Sequence, residues 1–238
     1  MLTPERQNEL RDNYLRVLEN IENAKSRRGT GEPVTLLAAT KTVPEEEVRY
    51  LVENCGLKLC GENHAQEFAA KYDGVTNAGA RMDFIGHLQT NKVRVVAGRA
   101  GLIHSVDSVR LAKEIDARCA KLGVTQDILI EINIGEEDAK TGIAPDLFDD
   151  FLAELTAFPA LRVAGIMTMA PKCEKNEEFR AYFKKSYEIY LDFLKKKPHN
   201  IREAVLSMGM SSSYEVAIEE GSNMVRVGSA IFGARTYR

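Results

Sequence analysis

Short apolar runs alternate with helical stretches along the whole chain, and the alternation repeats eight times. The apolar runs cover residues 35–39, 57–60, 82–85, 102–103, 128–134, 161–167, 204–208 and 224–231. Each run is short for a helix and ends at glycine or a polar residue, as buried strands of a parallel sheet do. Strands that alternate with helices pair in parallel through helical crossovers. The sequence therefore predicts an α/β fold, a single (β/α)8 TIM barrel.

An extra amphipathic helix precedes the first run, with Thr3 as the N-cap and Pro4 at the first helical position, and it extends to about Ser26. The other helices are predicted at about residues 44–54, 91–96, 109–121, 146–158 and 176–197, with one more that passes through Phe68 and Ala69. A doubly wound open sheet is the alternative, but the even spacing and the lack of a G-x-G-x-x-G turn count against it. No linker-like segment divides the chain, so we expect residues 1–238 to form one domain.

Composition and charge exclude several classes of function. The 238 residues carry a formal net charge of −3, and no basic excess indicates a nucleic acid partner. The chain lacks the apolar core of a secretory signal and any window apolar enough to span a membrane, so we expect a cytoplasmic protein with no membrane partner. The four cysteines and four histidines show no ligand spacing, which predicts free thiols and no metal site.

Lys41 ends the first apolar run, in the segment T-L-L-A-A-T-K-T-V-P. A lysine at the carboxyl end of a buried strand is partly desolvated, which favours the neutral amine that attacks carbonyl carbons. An ordinary solvated surface lysine is the alternative. In a barrel all strand ends meet at one mouth, where active sites lie. The polar residues that we place at this mouth are Lys41, Asn63, His87, Ser105, Asn133, Thr168, Ser207, Arg226 and Ser229.

The last two strands carry the features of a phosphate site, which barrels of this kind frequently have there. In S-M-G-M-S-S-S-Y-E, Ser212 and Glu215 fit the spacing of a capping box, which would leave backbone N–H groups pointing outward. Gly228 and Ser229 offer a second set of donors. The alternative is that the serines are only caps and that Gly228 only permits close packing.

Arg226 lies within an apolar strand and needs a ligand or a carboxylate as a partner, because a buried unpaired charge is costly. His87 has no carboxylate at a readable spacing, so we interpret it as structural or as lining the pocket. A lysine, a phosphate site and an arginine at one barrel mouth suggest that a phosphorylated carbonyl compound is held as a Schiff base. Two classes fit this description, a sugar-phosphate lyase of the aldolase kind and a protein that holds pyridoxal 5′-phosphate.

Eight segments of the sequence resemble the pyridoxal-phosphate homeostasis proteins, whose fold is similar to the barrel domain of alanine racemase. The segments are A-A-T-K-T-V-P, C-G-E-N-H-A-Q-E, F-I-G-H-L-Q-T-N-K, I-H-S-V-D, I-N-I-G-E-E-D-A-K-T-G, G-I-M-T-M-A-P, S-M-G-M-S and V-R-V-G-S-A-I-F-G-A-R. They include all eight strands in order. The third segment is close to a family signature.

This resemblance implies roles for individual residues. Lys41 would form the internal aldimine with pyridoxal 5′-phosphate, and Arg226 would face the pyridine nitrogen, where a guanidinium opposes protonation of the ring. The residues implied to hold the phosphate are Ser211, Gly228 and Ser229. Those implied to lie near the ring are Asn63 and either Met208 or Met210. Lys140 would be an accessory second amine that captures or relays the aldehyde.

At three positions the sequence departs from the family pattern. Ser213 replaces a common aspartate, His64 a tyrosine and Asn223 a threonine. None of the three is the lysine or belongs to the glycine and serine pair, so the departures put only the fine geometry of the site in question.

The resemblance also bears on whether the protein is an enzyme. Racemases of the related fold use a tyrosine from an additional domain as a second base, and this chain ends seven residues after its last predicted strand. We therefore expect a monomeric binding protein, not an enzyme, that stores pyridoxal 5′-phosphate or delivers it to apo-enzymes. The alternative is a weak pyridoxal-phosphate-dependent amino-acid racemase or lyase.

Overall fold

The computed structural model describes residues 2–137, 140–196 and 204–233. Eight parallel strands close into a barrel in chain order, and the first strand pairs with the last. This confirms the predicted fold class. The strands are β1 Thr35–Ala39, β2 Leu59–Glu62, β3 Arg81–Phe84, β4 Ile103–Val106, β5 Gln126–Ile132, β6 Leu161–Thr168, β7 Val205–Ser207 and β8 Met224–Val227.

The helices within the described residues form an outer layer around this barrel. They are α1 Pro4–Arg28, α2 Glu45–Cys55, α3 Ala65–Asn77, α4 Val93–Val96, α5 Val109–Leu122, α6 Phe148–Leu155, α7 Asn176–Lys196, α8 Tyr214–Glu219 and α9 Ser229–Phe232. Two 3₁₀ turns, Thr90–Lys92 and Pro145–Leu147, precede α4 and α6. In the described ranges no helix is both long and apolar enough to cross a bilayer.

The predicted N-terminal helix is present, and its ends follow from its sequence. The hydroxyl of Thr3 accepts a hydrogen bond from the backbone nitrogen of Arg6 at 3.3 Å, and Pro4 occupies the first turn. Gly29 closes the helix in the left-handed conformation with φ 76°, which glycine adopts without steric cost. One face of α1 is buried and packs against α2, α8 and α9.

Apolar side chains divide into two layers, because successive residues of a strand point to opposite faces. The main cluster lies between the strands and the helices. Two smaller clusters fill the barrel interior, one around Leu37, Leu59 and Met224 and one around Leu102 and Leu129. Even-numbered residues of β1 face the helices, and odd-numbered ones face the barrel axis.

Three boundaries differ from those predicted. The eighth strand ends at Val227, and the chain turns there into the single helical turn α9, so the predicted strand through residue 231 is wrong at its end. Ser105 lies inside β4 and is fully buried, so it is not a strand-end residue. The predicted helix at 91–96 is only the one-turn α4 preceded by a 3₁₀ turn. Lys197, the predicted last residue of α7, lies outside the described residues.

Candidate functional site

Closure of the barrel brings the first two strands and the last one to the same part of its mouth. Ala39 at the end of β1 lies opposite Gly61 in β2. On the other side of β1, a Cβ atom on Gly228 would lie 3.0 Å from the carbonyl oxygen of Ala39. Lys41 comes two residues after Ala39, and Asn63 comes two residues after Gly61, so both lie just past the ends of these strands. Residues from the two ends of the chain therefore meet at one place.

Lys41 lies in the turn after β1, two residues beyond Ala39, which packs with Leu37 in the barrel interior. Its side chain is half-buried, and within the described residues no hydrogen bond or ion pair engages its Nζ. The next residue, Thr42, has a φ of 64°, a left-handed conformation that costs a residue with a side chain roughly 1–2 kcal/mol. The amine is thus unpaired at the end of a backbone segment held in an unusual conformation.

The segments after β7 and β8 are joined by the hydroxyl of Ser211. Its Oγ accepts hydrogen bonds from the backbone nitrogens of Gly228 at 3.1 Å and Ala230 at 3.3 Å. Ser229, between them, is exposed. Both N–H groups are bonded to Ser211, so the donors left open here are the hydroxyl groups of Ser211 and Ser229.

The capping box predicted from Ser212 and Glu215 is wrong. The N-cap of α8 is Ser213, whose hydroxyl accepts from the backbone nitrogen of Met210 at 3.2 Å. Glu215 instead accepts a hydrogen bond from Arg27 of α1 at 2.8 Å. The short loop after β7 is therefore held by Ser213, while Ser212 is exposed.

Arg226 points into the barrel, as predicted, and is 4% exposed. Its Nη1 donates to the hydroxyl of Ser207 at 2.6 Å, and its Nη2 donates to the carbonyl oxygen of Thr168 at 2.9 Å. Burial lowers the pKa of Arg226 to about 10, and the charge of Glu131 opposes this. The guanidinium stays cationic at neutral pH, and no ion pair among the described residues includes it.

A buried chain of hydrogen bonds connects this arginine to the opposite end of the barrel. His104 is fully buried, with Nδ1 3.2 Å from Oγ of Ser207 and Nε2 3.3 Å from Oδ2 of Asp83. Since a carboxylate only accepts, the proton of neutral His104 is assigned to Nε2, and Nδ1 accepts from Ser207. Burial lowers the pKa of His104, which favours this neutral form. Arg81 pairs with both oxygens of Asp83.

Glu131 of β5 was missed by the sequence reasoning. The residue is 2% exposed, and its Oε1 accepts a hydrogen bond from the hydroxyl of Thr141 at 2.6 Å. Its Oε2 is buried and has no hydrogen-bond partner among the described residues. Burial raises the pKa of this carboxyl group. A charged residue within an apolar strand was the available signal, the same one that singled out Arg226.

The two accessory residues lie in loops at the mouth. His87 is half exposed, and its Nδ1 lies 3.8 Å from Oδ2 of Asp107, a carboxylate neighbour that the sequence spacing had not revealed. Lys140 forms an ion pair with Glu137 next to the undescribed residues 138 and 139. Their functional roles stay predictions.

Met208 and Met210, and the residues that differ from the family pattern, lie at different depths in the structure. Met208 is fully buried in the cluster between strands and helices, whereas Met210 is 39% exposed. Asn223 accepts from the backbone nitrogen of Leu206 at 2.7 Å, and His64 Nδ1 lies 2.9 Å from a carboxylate oxygen of Glu67. His64 and Ser213 thus contact residues three positions away, whereas Asn223 joins its own segment to β7.

Two further predictions concern cysteine and metal. The four cysteines are free, as predicted. The described part of the chain contains no group of three side chains placed to hold a metal ion.

The closed eight-stranded barrel, with a lysine after its first strand, is the fold class of the alanine racemase N-terminal domain. That family matches residues 15–236. The chain is 45% identical to the pyridoxal phosphate homeostasis protein of Aquifex aeolicus, over 93% of this chain and 96% of that protein. It is 37% identical to the Escherichia coli K12 protein of the same name, over 97% and 98% of the two chains. The chain belongs to the pyridoxal phosphate homeostasis protein family.

Solved structures agree with this assignment. PipY of Synechococcus elongatus, with pyridoxal phosphate bound, has a TM-score of 0.76 at 30% identity and covers 90% of this chain and 100% of its own. A protein of unknown function from Bifidobacterium adolescentis has a TM-score of 0.91 at 31% identity, with 98% of both chains covered. The alanine racemase of Clostridium difficile, at 17% identity and a TM-score of 0.69, shows the shared fold alone, over 97% of this chain and 58% of its own.

Proposed function

We propose that the protein binds pyridoxal 5′-phosphate at the barrel mouth, with Lys41 as its covalent anchor, and acts in vitamin B6 homeostasis in the cytoplasm. The observation that carries this proposal is the unpaired, half-buried amine of Lys41. Lys41 comes two residues after Ala39, whose carbonyl oxygen would lie 3.0 Å from a Cβ atom on Gly228. The related PipY has been solved with this cofactor bound.

The residues present fit the cofactor in three ways. The phosphate needs donors, and the hydroxyl groups of Ser211 and Ser229 are available after β7 and β8, since the N–H of Gly228 is bonded to Ser211. Arg226 uses Nη1 and Nη2 in two described bonds, so a guanidinium with five N–H groups keeps donors for a ring. Asn63 follows β2, the strand that pairs with β1, and would supply an amide from that side.

The cofactor supplies a reactive aldehyde. Nζ of Lys41, in its free-amine form, would hold this aldehyde covalently, with the loss of one water per C=N bond. Arg226 is a cation that cannot accept a hydrogen bond, so beside the ring it would oppose protonation of the pyridine nitrogen and make the ring a weak electron sink. This environment favours holding the cofactor over turnover.

The half-buried position of Lys41 supports a role in storage and delivery. Lys41 is only half-buried, so water or a second amine can reach the C=N bond and release the aldehyde. Apo-enzymes that depend on pyridoxal phosphate are the proposed recipients, and we expect the protein to be a monomer. Incubation of the loaded protein with such an apo-enzyme should restore its activity faster than free cofactor at the same free concentration does.

Absorbance tests the covalent anchor. The purified protein should show the visible band of a pyridoxal Schiff base, and Lys41→Ala should abolish it, whereas Lys140→Ala should reduce only the rate of uptake. A colourless wild type that takes up no pyridoxal phosphate would contradict the proposal.

The alternative function, a weak racemase or lyase, has its own measurement. The loaded protein is incubated with L-alanine in heavy water, and the α-proton is followed by NMR. We expect no exchange above that produced by free cofactor. Exchange that depends on Lys41 would instead support an enzyme.

A further inference from the structure

Lys71 of α3 reaches from the outer layer to the end of β1. The residue is 8% exposed. Its Nζ donates to the carbonyl oxygen of Thr40 at 2.9 Å, to Oε1 of Glu62 at 2.7 Å and to Oε2 of Glu67 at 3.2 Å. These contacts use all three N–H groups of an ammonium. Lys71 is thus fully bonded, in contrast to Lys41.

The two carboxylates extend these contacts to both neighbours of the site lysine in the sequence. Oε1 of Glu62 also accepts from the hydroxyl of Thr40 at 2.7 Å. Oε2 of Glu67 also accepts from the backbone nitrogen of Thr42 at 2.7 Å. Thr42 is the residue with a φ of 64°, so this hydrogen bond holds a conformation that a side chain disfavours.

The same cluster holds the adjacent strand end. Oε2 of Glu62 lies 3.3 Å from the backbone nitrogen of Asn63 and accepts its hydrogen bond. Glu62 is fully buried, and its carboxylate is neutralised by Lys71 at 2.7 Å. A buried ion pair adds little net stability compared with apolar residues of the same volume, but it fixes directions. We therefore assign to this cluster the backbone conformation around Lys41 and Asn63, and not a large gain in stability.

We propose that Lys71 is a positioning residue for Lys41. Its ammonium, together with Glu62 and Glu67, fixes the peptide units on both sides of Lys41, so that the amine approaches the aldehyde from one direction. The inference rests on the proposed function, because it concerns the same amine. Holding a reacting group in place raises its rate strongly, and a shift of about 1 Å costs up to about 100-fold.

Lys71→Met tests this by removing the ammonium while keeping an unbranched side chain. The first readout is the rate at which the Schiff-base band grows after pyridoxal 5′-phosphate is added. The second is the dissociation constant of pyridoxine 5′-phosphate, an alcohol that has the ring and the phosphate but cannot react. We expect the rate to fall by at least about tenfold, with the dissociation constant unchanged within about threefold. Lys121→Met, at an exposed lysine of α5, is the matched control and should change neither.

A second pair of variants keeps the test decisive if Lys71→Met does not fold. Glu67→Ala removes the acceptor for Thr42, together with the contacts of this carboxylate to Lys71 and His64. It should also slow band formation, whereas Gln66→Ala, at an exposed neighbour on the same helix, should not. Glycine adopts a positive φ without strain. In a Thr42→Gly background, Glu67→Ala should therefore slow the reaction less than it does in the wild type.

The outcomes separate this inference from the proposed function. A wild type that forms no Schiff base at Lys41 would remove the proposed function itself. A wild type that forms it, with folded Lys71→Met and Glu67→Ala proteins that react equally fast, would overturn only the positioning role. The positioning role would also be overturned if Lys71→Met lowered the rate with pyridoxal 5′-phosphate and the affinity for pyridoxine 5′-phosphate by the same factor. A reduced adduct found on Lys71 would overturn it too.

Discussion

The hydroxyl oxygen of Ser211 lies 3.1 Å from the backbone nitrogen of Gly228 and accepts its hydrogen bond. Ser211 follows β7 and Gly228 follows β8, so this contact joins two loops at the barrel mouth. The same oxygen accepts from the nitrogen of Ala230 at 3.3 Å. A hydroxyl that accepts in this way keeps its own proton for a further acceptor, such as a phosphate oxygen.

Ser211→Ala should weaken the binding of pyridoxine 5′-phosphate by about tenfold, because a hydrogen bond to a charged group contributes roughly 1.5–3 kcal/mol. Ser212→Ala is the matched control, since Ser212 is the exposed next residue. Calorimetric titration measures both dissociation constants. Equal affinities for the two variants, or an equal loss of affinity for pyridoxal without its phosphate, would remove Ser211 from the phosphate site.

Gly86 permits the close approach of two loops at the mouth. A Cβ atom at this position would lie 2.0 Å from the carbonyl oxygen of Asn63, which is backbone and cannot rotate away. Gly86→Ala should therefore cost about 3 kcal/mol or more of unfolding free energy, measured in urea. Gly228→Ala is the comparison, since its Cβ would meet the nearest atom at 3.0 Å, and it should cost less. The reverse order would contradict the described approach of Gly86 to Asn63.

His104 should make the protein less stable in mild acid. Burial lowers its pKa from the ordinary value of 6.5, so below that pH the unfolded chain binds a proton that the folded chain does not. Its contribution is fully present above pH 6.5 and declines as the pH falls. His104→Gln should remove this part of the slope when the unfolding free energy is measured between about pH 7.5 and 5.5. An unchanged slope would show that His104 titrates normally in the folded protein.

Glu131 should make the protein less stable as the pH rises, which is the opposite of the effect of His104. Burial raises the pKa of its carboxyl group above the ordinary 4.5, so the folded state binds the proton more tightly. Its contribution to stability is present below pH 4.5 and is lost as the pH rises through the raised value. Glu131→Gln keeps an acceptor for Thr141, and its unfolding free energy should decline less than that of the wild type between about pH 4.5 and 8. Parallel curves for the two proteins would contradict this.

The number, order and parallel pairing of the strands could be predicted from the sequence, because apolar runs with polar ends repeat regularly. The end of β8 could not. Ile231 and Phe232 are buried in the core whether the segment is strand or helix, so their apolarity does not distinguish the two. Backbone hydrogen bonds to Gly228 and Ser229 decide the matter.

The position of Lys41 after the first strand and the inward direction of Arg226 could likewise be predicted. The side-chain contacts within the site could not be predicted from the sequence. Lys71 reaches β1 from α3, and His104 of β4 bonds to Ser207 of β7, so these pairs depend on packing between elements that are distant in sequence. Periodicity shows which face a residue occupies but not which side chain it meets. The assignment of individual residues to the cofactor stays a prediction.

Mass spectrometry of the borohydride-reduced protein tests the central claim most directly. The protein is loaded with pyridoxal 5′-phosphate, reduced and digested, and the modified peptide is sequenced. We expect a single reduced pyridoxyl phosphate adduct on Nζ of Lys41, absent in Lys41→Ala. An adduct mainly on another lysine, or no adduct in a protein that is folded and exposed to the cofactor, would contradict Lys41 as the anchor.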